Sequence, residues 1–476
     1  MAWQRLFSNL MSLGAMRVAS AGASFALVVM IGREQGPALL GEFSALQSIF
    51  VFLQLMPLLG LHVVVIREVA AAPERSAEVV TSATGLAILV SLVLGIGVAI
   101  SGTMKPGTSP DFSVAAMLVG IAMLPTAWIC VAESFLIGSE SMKALARWNV
   151  YENLARTVIS IALLLAGFGL VALYLVFLLC RLWLAWAYWT QQGVGHWVQA
   201  QALTREEFGR LLRELPVFVG IMVCAASLNR LDFLLLYAWS AMETVGLYSA
   251  AYRFYELAMM VPTLLLVALF PSLAAAFAQG REQFSGLLFG AVRLALLALT
   301  PCAVLGATFS PVLIAMFGKR YDQAALILVW LVVSLPAVGL NQCLAAAMLA
   351  MKRQKADLCV VAVTALLYAM LLWWWIGRAG ALGAAWATTA TALLQPGLRL
   401  LILRRELFGA QMLNELRIVL VAVVAMLVPM GLLWRWQPYF AAASGLLCYG
   451  GGLAVMGITP QALLAMCRRD RAQGAV

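Results

Sequence analysis

Charge is scarce in this chain. Of its 476 residues only 11% are charged, against roughly a quarter in soluble domains, and 64% are apolar. With a mean hydropathy of +0.96, the composition excludes a soluble globular protein. Histidine is nearly missing too: His62 and His196 are the only two, and neither has another histidine at ligand spacing. The eight cysteines, at 130, 180, 224, 302, 343, 359, 448 and 467, form no CxxC pair, so the sequence implies neither a disulfide framework nor a metal cluster. There is no GxxxxGK[ST] phosphate loop, which excludes an ATP-driven pump. A membrane polymerase or glycosyltransferase normally carries its catalytic groups on a sizeable polar loop. The longest such stretch here is Gln191 to Leu215, no Asp stands within three residues of another, and no His pairs with an acid, so no catalytic residues are assigned.

What the chain has is apolar runs of membrane length, since about 20 helical residues cross the hydrocarbon core. Hydropathy predicts an all-α polytopic membrane protein with fourteen spans: 10–32, 43–66, 79–101, 112–137, 148–168, 170–190, 216–239, 246–275, 286–309, 323–351, 358–377, 381–403, 416–434 and 439–459. The first lacks a cleavage site and is read as a retained helix. Lys and Arg accumulate on the side of Arg205–Arg213, Lys352–Lys355, Arg404–Arg405 and Arg468–Arg471, which places both termini in the cytoplasm. The net charge of +10 is therefore a topological signal and a contact with anionic lipid, not a nucleic-acid footprint.

One stretch occurs twice. GEFSALQSIFVFLQLMP begins at Gly41, and GLYSAAYRFYELAMMVP begins 205 residues later at Gly246, with Gly, an aromatic, Ser, Ala and Pro at the same offsets. Six spans separate the copies, so both run in the same direction across the membrane, as in a parallel repeat. The expected layout is two six-helix lobes around a central cavity, residues 1–200 and 214–405, joined by an amphipathic cytoplasmic linker at 201–213 and followed by two helices and a basic tail at 406–476. Taken singly, Gly41 and Gly246 read as the ends of external loops, and Pro57 and Pro262 as helix kinks.

Ionisable side chains at membrane depth cost about 2.5–3.5 kcal/mol on insertion scales, so they face a bundle interior or an aqueous cavity. Arg17 lies two turns into the first span with Ser20 and Ser24 on its face. Asn149, Glu152, Asn153 and Arg156 share one face of the fifth span, Arg181 sits within the sixth, and Arg230 and Asp232 within the seventh. Arg253 and Glu256 stand on the eighth, and Glu133 near the inner end of the fourth. Two readings stand side by side. Glu152 with Arg156, and Arg253 with Glu256, are pairs that glue helices, while Arg17, Arg293 and Arg399 snorkel to headgroups. Alternatively, arginines outnumber acids in a cationic interior that accepts an anion, because guanidinium forks match phosphate oxygens. On that reading Arg17, Arg156, Arg181, Arg230 and Arg253 bind substrate, and Asp232, Glu256 and Glu133 are candidates for coupling to H+ or Na+. Trp183, Trp186, Tyr188 and Trp189 form an interfacial belt or a surface on which sugars stack.

The residues from Gly41 to Ala70, with Arg67-Glu68 closing the span, together with Ser227–Leu257 and Phe309–Leu328, resemble the polysaccharide-transport flippases of the multidrug/oligosaccharidyl-lipid/polysaccharide exporter superfamily. The resemblance implies a secondary transporter of the bacterial inner membrane, not an enzyme. It would flip polyprenyl-diphosphate oligosaccharides, such as O-antigen or capsule repeat units, by alternating access, with Arg17, Arg230 and Arg253 engaging the diphosphate and with polymerase or glycosyltransferase partners. Lipid II flippases of the superfamily also have fourteen helices, the last two forming a groove for the lipid tail, but carry more charge on the first helix than is present here. Drug extruders usually carry an acid on that helix, and this one has none.

Overall fold

The computed structural model describes residues 2–198 apart from 55, 59–60, 72–73, 75, 191 and 193, together with 209, 228, 230–407, 417, 421, 424 and 438–455; the side chains of the first 21 residues lie outside the description. The linker at 201–213 and most of the seventh and thirteenth spans also fall outside it. Among the described residues there is no strand. The helices are α1 (Ala2–Leu53), α2 (His62–Ala71), α3 (Ser76–Met104), α4 (Pro110–Gly138), α5 (Met142–Leu165) and α6 (Leu170–Thr190). After α7 (230–239) come α8 (Met242–Ala258), α9 (Met260–Gln279), α10 (Arg281–Thr308), α11 (Ser310–Ile314), α12 (Ala324–Val333), α13 (Leu335–Ala350), α14 (Gln354–Leu407) and α15 (Pro438–Val455). Seven segments of the described residues are long and apolar enough to cross a membrane. α5 is not among them, because Lys143, Arg147, Glu152 and Arg156 interrupt its apolar surface.

Where the helices break follows from proline and glycine. A proline ring collides with the carbonyl four residues earlier. Four residues before Pro57 is Leu53, where α1 ends; four before Pro262 is Ala258, where α8 ends. Four before Pro336 is Val332, next to the end of α12. The second span is thus shorter than its hydropathy suggests: Pro57 lies in a turn, and residues 62–66 belong to α2. The eighth span divides into α8 and α9 for the same reason. Conversely, two expected loops shrink to single residues, Gly36 (φ 84°) inside α1 and Gly380 (φ 54°) inside α14. Positive φ costs other residues about 1–2 kcal/mol, so glycine is what permits such abrupt reversals.

The chain forms two compact units. The first comprises 1–257, 311–327 and 361–387; the second comprises 258–310, 328–360 and 388–476. In the first, α3, α4 and α6 pack around Val79, Val80, Ala83, Ala127, Val131 and Leu184. The start of α4 is fixed by Ser109, whose Oγ accepts from the Phe112 N–H at 3.2 Å. Buried Glu42 of α1 in turn accepts from the Ser109 backbone N–H at 2.8 Å and from its hydroxyl at 2.7 Å, tying α1 to that cap. The second unit is built on α9, α10 and α13, with Leu288, Val292, Ala295, Cys343, Leu344 and Ala347 in its core.

Candidate functional site

The two copies of the repeat pack on each other. A Cβ added to Gly41 would strike the Met242 carbonyl, and one added to Gly246 would strike the Pro37 carbonyl. Met242 is the counterpart of Pro37 at the same 205-residue offset, so the contact is reciprocal. On its axis the hydroxyls of Ser44 and Ser249 meet at 2.5 Å. These glycines are therefore not loop ends, as each looked singly, but small residues that let two helix backbones touch inside the first unit. The aromatic positions of the motif face the surrounding helices. Phe43 presents its carbonyl to the Tyr174 hydroxyl at 2.7 Å, and Tyr248 donates to Asp232 at 2.6 Å.

Beside this crossing opens a small cleft with about 50 Å³ of room for water, walled by α1, α5, α6 and α8. Ser24, Gln47, Thr157, Ser160 and Tyr174 supply its uncharged polar groups; Arg156 and Arg253 supply its charge, and no acid among the described residues lines it. The phenylalanine rings and aliphatic side chains of Leu27, Val28, Phe43, Leu173 and Phe177 make up the rest. Two arginines 97 residues apart in sequence are thus brought to one opening. Each keeps a carboxylate behind it, away from the cleft. Arg253 donates to Glu256 at 2.8 Å, and Arg156 lies at a loose 3.9 Å from Glu152.

Arg230 does not line the cleft but reaches the same counter-ion: its guanidinium donates to Glu256 Oε1 at 2.7 Å, while Arg253 holds Oε2. One carboxylate thus bridges two guanidiniums and positions both, leaving one positive charge in the triad. Arg230 also stacks on Phe233 and Tyr252, with its central carbon 5.8 and 5.6 Å from the ring centres. Asp232 is buried, accepting from Tyr248 and from the Phe233 N–H at 2.8 Å, and shares no ion pair with Arg230. Arg181 lies over Phe50 and Phe177, 5.1 and 5.4 Å from their centres, with its Nε unpartnered. Glu133 accepts from Asn149 at 2.9 Å and from Tyr188 at 3.5 Å, which holds it inside the α4–α5–α6 group. The side chain of Arg17 falls outside the described residues. Among described side chains the arginine excess therefore lies in the lining of the cleft, not in the cluster as a whole: Arg156, Arg181, Arg230 and Arg253 are matched by Glu133, Glu152, Asp232 and Glu256. Tyr188 belongs to this polar cluster, whereas Trp183, Trp186 and Trp189 are exposed on α6 as a lipid-facing belt requires.

The second unit corrects another expectation. Arg399 does not snorkel. It is 3% exposed, donates to Asp357 at 2.8 Å and also bonds the side-chain oxygen of Asn341, whose amide donates to Gln395 at 2.9 Å. The nearest pairing signal in the sequence, Asp357 at 42 residues' distance, has no helical spacing that could have revealed it. Removing one partner of a buried pair costs about 3–5 kcal/mol. Arg399→Ala should accordingly lower thermal stability steeply in detergent.

The sequence matches the polysaccharide biosynthesis protein family over residues 6–277, more than half of its length. A search of curated protein sequences finds no match. Among solved structures the fold is similar to that of the lipid II flippase MurJ in an inward closed conformation (TM-score 0.72, 15% identity, covering 93% of this chain and 98% of that one). It is also similar to an inward-facing multidrug resistance MATE transporter of the MOP superfamily (TM-score 0.64, 15% identity, 85% and 97%). A MOP superfamily transporter from Pyrococcus furiosus, described as having a binding pocket of reversed polarity, follows at TM-score 0.57, 14% identity and coverage of 84% and 95%. The chain belongs to the polysaccharide biosynthesis protein family.

Proposed function

We propose that this protein is a fourteen-span flippase that carries a polyprenyl-diphosphate-linked oligosaccharide from the cytoplasmic to the periplasmic leaflet of a bacterial inner membrane, with both termini inside. One observation carries the reading: among the described residues the cleft in the first unit is lined by two guanidiniums and by no acid. Arg156 and Arg253 offer forked donors to an anion, Gln47 and the hydroxyls of Ser24, Thr157 and Ser160 add neutral ones, and Leu27, Val28 and Phe177 face an isoprenoid or a sugar plane. A cationic drug would meet repulsion at the same opening, which argues against an extruder of cations. Arg230 and Glu256 orient Arg253. Arg181 and Arg17 complete the cationic set on α6 and α1, the seventh to twelfth spans (214–405) form the second lobe, and the last two spans shelter the lipid tail. Asp232, Glu256 and Glu133 are the carboxylates on which coupling to H+ or Na+ would fall. The repeat unit is of the O-antigen, capsule or exopolysaccharide type, delivered by glycosyltransferases and consumed by a polymerase.

The test is transport by purified protein in liposomes. A fluorescent polyprenyl-diphosphate oligosaccharide should move across the bilayer, a cationic dye should not, and unlabelled lipid II should compete poorly. Dye uptake without lipid movement would overturn the reading. Competition by lipid II at equal concentration would replace the oligosaccharide with lipid II as cargo.

A further inference from the structure

Among the described residues Glu152 is a buried acid with little to satisfy its charge. It sits on α5 at 4% exposure, and its Oε1 has no hydrogen-bond donor. Its nearest cation, Arg156 one turn along the same helix, stands 3.9 Å away, beyond hydrogen-bond reach. Close by on α6, Arg181 also carries a buried unpartnered nitrogen, but its guanidinium is laid over Phe50 and Phe177 and makes no ion pair with Glu152 among the described residues. The other groups facing this carboxylate are Cys180 and Tyr188 on α6 and Glu133 on α4, none of which brings positive charge. Asn153, the next residue, has its own side-chain oxygen unpartnered.

The Arg156 guanidinium therefore serves two environments. Among the described residues it is the only cation paired with Glu152, and it lines the cleft. An anion that recruits Arg156 into forked hydrogen bonds withdraws it from a carboxylate with no other ion-pair or hydrogen-bond partner among the described residues. A buried ionised carboxylate without partners is far costlier than the neutral acid. We propose that Glu152 is a proton-exchange site: when a phosphate-bearing headgroup engages Arg156, the Glu152 carboxylate takes up one proton from solvent, and when the headgroup leaves it gives that proton back. No bond other than O–H forms or breaks. This rests on the cationic-cleft reading and adds to it a stoichiometry, one proton bound per anion bound, at a residue other than Asp232, Glu256 or Glu133. By linkage, affinity for the anion should then fall as pH rises, by about tenfold per pH unit as long as binding takes up one proton.

The experiment uses full-length protein in nanodiscs with farnesyl diphosphate as the probe. Affinity is measured across the neutral pH range, and proton uptake on binding is followed in weakly buffered solution for wild type and Glu152→Gln. Because the diphosphate's own titration is common to both, the difference between them reports the protein. Wild type should take up about one proton more than Glu152→Gln and lose affinity about tenfold more per pH unit. The variant, a permanent mimic of the protonated acid, should bind at least as tightly as wild type at every pH. In parallel, infrared difference spectra of wild type with and without probe should show a protonated-carboxyl band gained on binding. Equal proton uptake in the two proteins, weaker binding by Glu152→Gln, or no gained band in wild type would overturn the assignment of Glu152. Failure of wild type to bind the probe at any pH would instead overturn the cationic cleft itself.

Discussion

Arg253→Ala should abolish lipid movement while leaving a folded, membrane-inserted protein, and Arg156→Ala should come close to it. Each removes one of the two charges lining the cleft. A charge-assisted hydrogen bond is worth about 1.5–3 kcal/mol, or roughly ten- to a hundredfold in affinity, and a forked pair loses two at once. The double variant should bind a diphosphate probe no better than a neutral lipid. Arg253→Ala also frees one oxygen of Glu256, leaving Arg230 as its only partner, so its effect should exceed that of Arg156→Ala. Lysine at 253 separates the two contributions. Charge survives but the fork does not, because a single ammonium cannot serve Glu256 and a phosphate in the same plane. Arg253→Lys should therefore retain binding and lose most of its strength. Arg230→Ala acts at one remove, by letting Glu256 and Arg253 swing, and Arg230→Lys should recover more than Arg253→Lys does. Wild-type transport rates in Arg156→Ala/Arg253→Ala would refute the phosphate-binding role.

The second large effect is expected at the crossing of the two repeat copies. Alternating access requires the helices that close one end of the pathway to separate during each cycle. Ser44 and Ser249 touch through their hydroxyls at 2.5 Å, which brings the sulfurs of Ser44→Cys/Ser249→Cys within easy reach of a bond of about 2.05 Å. Oxidation of that double variant should stop transport, and reduction should restore it. Each single variant should transport normally under both conditions. Full activity of the cross-linked protein, with the disulfide verified by mass spectrometry, would mean that α1 and α8 stay together throughout the cycle. A bulkier probe of the same place, Gly41→Leu, should prevent assembly outright, since its Cβ alone collides with the Met242 backbone.

The sequence made the helices legible because lipid demands long apolar runs, and it showed which residues share a face because helical periodicity is local. Asn149, Glu152 and Arg156 are on one face of α5, as their spacing requires. Partners across helices were a different matter. Arg230 was legible as a deep cation without a local acid, but Glu256, 26 residues on and in another helix, completes it. Nothing in the composition distinguishes Arg399, locked onto Asp357, from an arginine that reaches for headgroups. Hydropathy also smoothed over the proline breaks, because Pro57 and Pro262 sit in stretches as apolar as the helices they end. The repeat was visible as a pattern, whereas its use as a contact surface was not: five matching offsets say that two segments share an ancestry, not that they touch.

That contact has a further meaning. Where residue i of one segment meets j of the other and j meets i, the surface is self-complementary, the hallmark of a two-fold homodimer. Pro37 with Gly246, Gly41 with Met242 and Ser44 with Ser249 form such a set within a single polypeptide. A shorter precursor bearing one copy would have owned a ready-made dimerisation patch, and fusion of two such chains would have preserved it. Substitutions there are consequently constrained in tandem, since a side chain enlarged in either half invades the backbone of its twin.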